Sequence, residues 1–201
     1  MWNFPHFFLT GSLTLQTNID LNICDTAMHV SKRRTFSKSR KSNCEDMNTK
    51  LCSAAREGRY DVVVDCIAQG ADPRWRNGAG ETGLHLAAWR GHVRVARLLL
   101  DSGWELEVAG SGGYQGTPLH CAAGRGRVAV ISLLVERGAD TDCRDPQLET
   151  PLHWAAERGK RAAVRRLLRL GADTNIENRH GETAGDLAED EEIRTMLEEV
   201  N

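Results

Sequence analysis

Proline and long apolar runs are scarce in this chain. It holds 5 Pro against 19 Gly in 201 residues, which excludes extended proline linkers and favours frequent turns. Its longest uncharged stretch, residues 1–19, is too polar to span a bilayer and lacks the basic residues that open a secretory signal. We therefore expect no membrane span and a protein of the cytoplasm, the nucleus or both that is not secreted.

A strong net charge and a metal-binding cysteine pattern are also missing. The 26 Lys and Arg against 28 Asp and Glu give a net charge of -2, so the whole chain has no electrostatic attraction to nucleic acid. Six cysteines contain no C-x-x-C pair, and the closest two, Cys44 and Cys52, are eight residues apart. We expect reduced thiols, no metal and no cofactor.

Internal repetition dominates the rest of the sequence. A threonine recurs at intervals of 33, 35, 33 and 33 residues, at Thr49, Thr82, Thr117, Thr150 and Thr183. Residues 82–88, 117–123 and 150–156 form near-identical strings, TGLHLAA, TPLHCAA and TPLHWAA. A glycine follows each of the first four threonines after nine residues, and a second glycine follows twelve residues later. Threonine caps helix starts and glycine ends helices, so the period predicts two short helices per repeat.

This pattern resembles the ankyrin repeat, whose period is about 33 residues and whose signature is T-P-L-H-x-A. The resemblance implies an all-α solenoid of helix-turn-helix repeats with short β-fingers. It divides an ankyrin repeat domain, residues 46–201, into four repeats and a C-terminal cap: about 49–81, 82–116, 117–149, 150–182 and 183–201.

Three departures from the repeat pattern affect its local geometry. Two extra residues fall in the glycine-rich stretch 109–113, which predicts a mobile second finger. Leu148 occupies a finger position where Gly80 and Gly181 stand in other repeats. Residues 183–201 lack the Leu-His pair and are acidic, which predicts a polar capping helix pair.

Residues 1–45 show neither the repeat period nor the spacing of apolar residues that is typical of an amphipathic helix. They carry six basic and three acidic residues, whereas the remainder carries 20 basic and 25 acidic residues. We predict a disordered basic segment. Its stretch 32–41 is either a solvated run or a patch for nuclear import, nucleic acid or a membrane surface. Ser37, three residues after Arg34, is a candidate phosphorylation site.

Catalytic motifs are absent from the sequence. The string 78–83 matches G-x-G-x-x-G, but no apolar strand precedes it, so it is a finger between repeats. His85, His120 and His153 recur at the repeat interval and cannot converge on one ligand. We predict that they form hydrogen bonds at helix starts and that the protein is not an enzyme.

The function implied by the resemblance is a non-catalytic adaptor, a monomer that binds a protein through the concave ankyrin groove. In that family the finger residues and the two residues before each first glycine face the groove, which here implies a ladder of Arg90, Arg125 and Arg158 with two aromatic side chains beside it, Trp89 and Tyr114. Guanidinium groups and aromatic rings suit an acidic or phosphorylated partner segment, and nucleic acid is not expected.

Two alternatives stay open at this stage. Nearby glutamates could pair with the arginines as a solvated surface: Glu57, Glu149, Glu157 and Glu182. The protein could instead be a nucleus-directed regulator whose basic N-terminal segment provides targeting or nucleic-acid contact.

Overall fold

The structure is a computed structural model that describes residues 39–110 and 116–199. Within these ranges the chain forms nine α-helices and no β-strand. The helices are α1 (Ser39–Glu57), α2 (Tyr60–Ala68), α3 (Gly83–Arg90), α4 (Val93–Asp101), α5 (Pro118–Gly124), α6 (Val128–Glu136), α7 (Pro151–Glu157), α8 (Arg161–Arg169) and α9 (Glu191–Glu198).

Helices pack in pairs and the pairs stack in sequence order. The first helices of the repeats, α1, α3, α5 and α7, contact one another in one layer, and the second helices, α2, α4, α6 and α8, form the other layer. Helix α9 covers α8 at the end of the stack. This arrangement confirms the predicted all-α solenoid of helical repeats.

The core consists of the same repeat positions in every pair. Its fully buried alanines are Ala55, Ala88, Ala123 and Ala156. Alanine at these positions lets the helix layers approach closely, and leucines fill the remaining space, among them Leu84, Leu99, Leu119, Leu134, Leu152 and Leu167. Helices of seven to nine residues are marginal in isolation, so each pair depends on its neighbours for stability.

The predicted histidine hydrogen bonds at helix starts are confirmed. In the third repeat, the backbone N–H and the hydroxyl of Thr117 both donate to Nδ1 of His120, over 3.2 and 3.0 Å. Because Nδ1 accepts, the proton of the neutral ring resides on Nε2, which donates to the carbonyl of Glu149 over 2.9 Å. His120 therefore joins a helix start to the adjacent finger, and so does His153, whose Nε2 lies 3.1 Å from the carbonyl oxygen of Glu182.

The described fingers are turns closed by two backbone hydrogen bonds each. The amides of Asn77, Asp145 and Asn178 donate to the carbonyl four residues later, over 2.9, 3.0 and 2.9 Å, and their carbonyls accept from the amide three residues later, over 2.8, 2.9 and 3.0 Å. Two bonds within one tight turn do not make a strand, so the fingers have hairpin-like turns without β-structure in the described residues. Residues 111–115, which include most of the extra glycine-rich stretch, lie outside the described residues.

Leu148 adopts the conformation that its glycine counterparts adopt. Its φ of 61° lies in the left-handed region beside the values of 76° for Gly80 and 75° for Gly181, and its side chain is 44% exposed. The turn is thus the same in all three fingers. Leucine bears a steric penalty there that glycine avoids.

We predict that Leu148→Gly raises the free energy of unfolding by about 0.5 kcal/mol, because relief of the left-handed backbone exceeds glycine's entropic penalty. The reverse exchange, Gly181→Leu, should lower it by about 1 kcal/mol. No atom lies within 4 Å of a Cβ built on Gly181, so the reverse variant tests backbone conformation alone. Urea unfolding measures both, and shifts in the same direction would contradict the argument.

Helix α1 begins ten residues before the first repeat threonine. It starts at Ser39 and so extends into the segment for which the sequence predicts disorder, while residues 1–38 lie outside the described residues. Asn48 anchors the helix one residue ahead of the repeat threonine. It is 7% exposed, and its Oδ1 accepts a hydrogen bond from the backbone N–H of Asp72 over 2.9 Å, which ties α1 to the first finger.

The cap contains one helix where the sequence predicts a pair. Turns span residues 184–187, at the position where the other repeats have their first helix, and only α9 follows. Asp186 occupies the place of the capping histidine and accepts from the backbone N–H and hydroxyl of Thr183, over 2.8 and 2.7 Å. The helix start is retained, but Gly185 replaces the repeat leucine and supplies no side chain to anchor a longer helix.

Candidate interaction surface

The predicted arginines lie at the ends of the first helices. Trp89 and Arg90 end α3, Arg125 follows α5 and Arg158 follows α7. Tyr114 and Ser37 lie outside the described residues. The arginines share one repeat position, yet their surroundings differ because the residue before each is different: Trp89, Gly124 and Glu157.

Arg125 stacks on the tryptophan of the preceding repeat. Its guanidinium carbon lies 3.6 Å from the centroid of the Trp89 ring. Arg125 is exposed and Trp89 is half-buried, so the stack presents a cation at the surface while an aromatic face supports it. A planar guanidinium held flat in this way keeps its edge N–H groups available to a carboxylate or phosphate.

Arg158 stacks within its own repeat. Its guanidinium carbon is 4.3 Å from the centroid of the Trp154 ring, and the side chain passes over Gly124. A Cβ built on Gly124 would lie 2.4 Å from Nη1 of Arg158, so a larger residue here would displace the end of the Arg158 side chain. Nη1 is buried without a hydrogen-bond acceptor in the described part of the chain, and Nη2 lies 3.9 Å from Glu157.

Trp154 supports Arg158, and the sequence analysis did not single it out. It is 5% exposed, and its indole N–H donates to Oδ2 of Asp145 over 3.1 Å. The ring of His120 packs edge-on against it, with centroids 5.3 Å apart. The signal was present in the string TPLHWAA, where a tryptophan replaces the leucine or cysteine of the other repeats.

The nearby glutamates leave most of this positive charge uncompensated. Glu57 pairs with Arg59 over 2.5 Å, and Glu182 accepts from Asn178 over 3.1 Å. In the ranges 39–110 and 116–199, no carboxylate pairs with Arg90 or Arg125. The three arginines therefore do not form a uniform ladder: two lie flat on indole rings, and Arg90 faces a cleft beside Arg56 and Arg127.

Burial makes the cysteines and capping histidines poor candidates for chemistry. It raises the pKa of the Cys52, Cys121 and Cys143 thiols to about 12, so these thiols stay protonated at neutral pH. No group of three or more His, Cys, Asp or Glu side chains among the described residues is arranged to hold a metal ion.

The fold defines the class of the protein, a helical-repeat solenoid whose first helices end in arginines and a tryptophan. A family model described as ankyrin repeats (3 copies) matches residues 51–145 and 102–180, which together cover more than half of the chain. The chain therefore belongs to the ankyrin repeat family. Proteins of this family are generally non-catalytic protein–protein interaction modules. Within the described part of the chain, no helix is long and apolar enough to cross a membrane.

Proposed function

We propose that this protein is a monomeric, non-catalytic adaptor that binds an acidic or phosphorylated segment of a protein partner through its concave groove. The observation that carries the proposal is the pair of arginines, Arg125 and Arg158, held against Trp89 and Trp154. Aromatic and arginine side chains dominate the binding energy of protein interfaces.

Preorganisation supports this function. A free arginine side chain loses rotamer entropy when it binds, whereas a stacked one has lost much of it before the partner arrives. The indole of Trp154 is itself held by its hydrogen bond to Asp145, so Arg158 stacks on a ring whose position is fixed. The four described cysteines, Cys52, Cys66, Cys121 and Cys143, are buried free thiols, which supports residence in the reducing cytoplasm or nucleus.

We expect the double variant Arg125→Gln/Arg158→Gln to weaken binding of a glutamate-rich peptide by at least about tenfold, since each charge-assisted hydrogen bond contributes about 1.5–3 kcal/mol. The matched control is Arg97→Gln/Arg169→Gln, which removes two exposed arginines from α4 and α8. Fluorescence anisotropy of the labelled peptide at two salt concentrations measures the effect. Equal weakening by both variants would show that only net charge matters and would refute the groove assignment.

A further inference from the structure

The turns between paired helices form a second cationic region. We call it the turn edge, and it comprises the residues that precede the second helices: Arg59, His92, Arg127 and Lys160. None of these side chains caps its helix, and the first turns of α4, α6 and α8 contain no acidic residue. A helix N-terminus carries a partial positive charge, so basic side chains here increase the local positive charge, whereas acidic ones would offset it.

Two side chains of the turn edge are pinned across repeat boundaries. Nε2 of His92 lies 3.0 Å from the carbonyl oxygen of Arg56, and Nε of Arg127 donates to the carbonyl of Trp89 over 3.2 Å. Both side chains lie over glycines of the preceding repeat: a Cβ on Gly58 would come within 2.6 Å of the His92 ring. Both side chains are thus held in place by the fold.

A cleft of about 570 Å³ opens between these pinned groups, lined by Arg56, Glu57, Arg90, His92 and Arg127. Three arginines therefore face one glutamate, and that glutamate already pairs with Arg59. Nε of Arg127 donates to the Trp89 carbonyl, so both Nη groups of Arg127 remain available to a ligand. Arg90 has no hydrogen-bond or ion-pair partner among residues 39–110 and 116–199.

The composition of the cleft favours a compact dianion. A single carboxylate accepts one guanidinium fork, whereas a phosphoryl group has three oxygens and nearly two negative charges at neutral pH. Several guanidinium groups around one cleft therefore suit a phosphoryl group better than a carboxylate. An extended polyanion fits less well, because the finger edge of the same array carries exposed carboxylates, Asp72, Glu105, Glu107, Asp140 and Asp173, that would repel duplex nucleic acid or an anionic bilayer.

We propose that the cleft lined by Arg56, Arg90, His92 and Arg127 binds the phosphoryl group of a phosphorylated serine or threonine in the partner protein. This inference deepens the proposed function and rests on it, since the phosphorylated residue belongs to the segment that the arginine–tryptophan stacks bind. Phosphorylation of the partner then controls its affinity for the array.

The test titrates the ¹⁵N-labelled full chain with N-acetyl-O-phosphoserine amide and, at matched ionic strength, with N-acetylglutamate amide. We expect the phosphoserine compound to shift the Arg127 Nε–H signal and the amide signals at the start of α4, and the glutamate compound to shift them far less. Arg56→Gln/Arg90→Gln should weaken the phosphoserine affinity at least about tenfold, and Arg97→Gln/Arg169→Gln should leave it within about twofold.

Several results would overturn the inference. Equal shifts with both compounds would show that the cleft does not distinguish a dianion, and shifts spread equally over Arg94, Arg97 and Arg169 would indicate a non-specific ion atmosphere. Binding to anionic vesicles or duplex DNA that is lost in Arg56→Gln/Arg90→Gln would assign the cleft to an extended surface. If the glutamate-rich peptide still requires Arg125 and Arg158 while phosphoserine does not bind, the cleft proposal fails and the proposed function stands.

Discussion

Acidification from pH 7 to pH 4.5 is expected to lower the free energy of unfolding by about 5 kcal/mol. The cause is the set of capping histidines, which the fold holds neutral. Burial lowers the pKa of His85 and of His120 to about 4, and it also lowers the pKa of His153. In the unfolded chain these rings titrate near their ordinary value of 6.5.

The hydrogen bonds explain why protonation opposes folding. A protonated ring has no lone pair at Nδ1, so it cannot accept the backbone N–H of Thr82 or Thr117. Between pH 6.5 and about 4 the unfolded state binds more protons than the folded state. The stabilisation is complete above pH 6.5 and is lost as the pH falls, by about 1.4 kcal/mol per pH unit for each of His85 and His120.

Carboxylates contribute little within this pH range. Hydrogen bonds from Thr183 lower the pKa of Asp186, and the Arg161 guanidinium lowers the pKa of Asp190, so the stabilisation from both is lost only at a more acidic pH. Burial, and after it the charge of Asp145, raises the pKa of Glu149. Protonation of Glu149 as the pH falls therefore stabilises the folded state slightly, which opposes the effect of the histidines. The histidines therefore dominate the dependence of the unfolding free energy on pH.

Urea unfolding at pH 7, 6, 5 and 4.5 measures this dependence. The matched variant is His120→Gln, because glutamine completes a helix-capping box with threonine but does not titrate in this range. It should show a shallower loss of stability than the natural protein, by roughly the share of one histidine. An unfolding free energy that stays constant between pH 7 and 5 would contradict neutral buried histidines.

The repeat period predicted the fold because it reports on local structure. Threonine, histidine and glycine at fixed offsets specify helix starts and ends within one repeat, and the Thr117–His120 pair forms the expected bonds. The same register could not predict the surface. Arg125 contacts Trp89 across a repeat boundary, and the glycine at position 124 decides where Arg158 lies.

Arginines at the same repeat position therefore make different contacts. Arg90, Arg125 and Arg158 were predicted to form one ladder, yet their neighbours direct two onto indoles and one into a cleft. Such differences arise from side-chain packing between repeats, which a single repeat does not contain. Asn48 is a further contact of this kind, because its buried hydrogen bond in α1 joins it to Asp72, 24 residues away.

Trp154→Ala is expected to lower the free energy of unfolding by about 4 kcal/mol, the usual magnitude for removing a buried tryptophan. The change leaves a cavity between α5 and α7 and removes the edge-on contact with His120. It also removes one of the three donors to the buried Asp145 carboxylate, which is 6% exposed and otherwise accepts from the amides of Gln147 and Glu149.

Trp154→Leu separates these contributions, because the second repeat has Leu86 at the same position. Leucine keeps part of the volume but loses the indole donor and the platform for Arg158, so we expect a loss of about 2 kcal/mol. Urea unfolding measures stability, and the glutamate-rich peptide measures binding under conditions where both variants are folded. Because Arg158 stacks on this ring, both variants should bind the peptide more weakly. If Trp154→Leu retained full affinity, the indole would serve the core alone and the preorganisation of Arg158 would play no part in recognition.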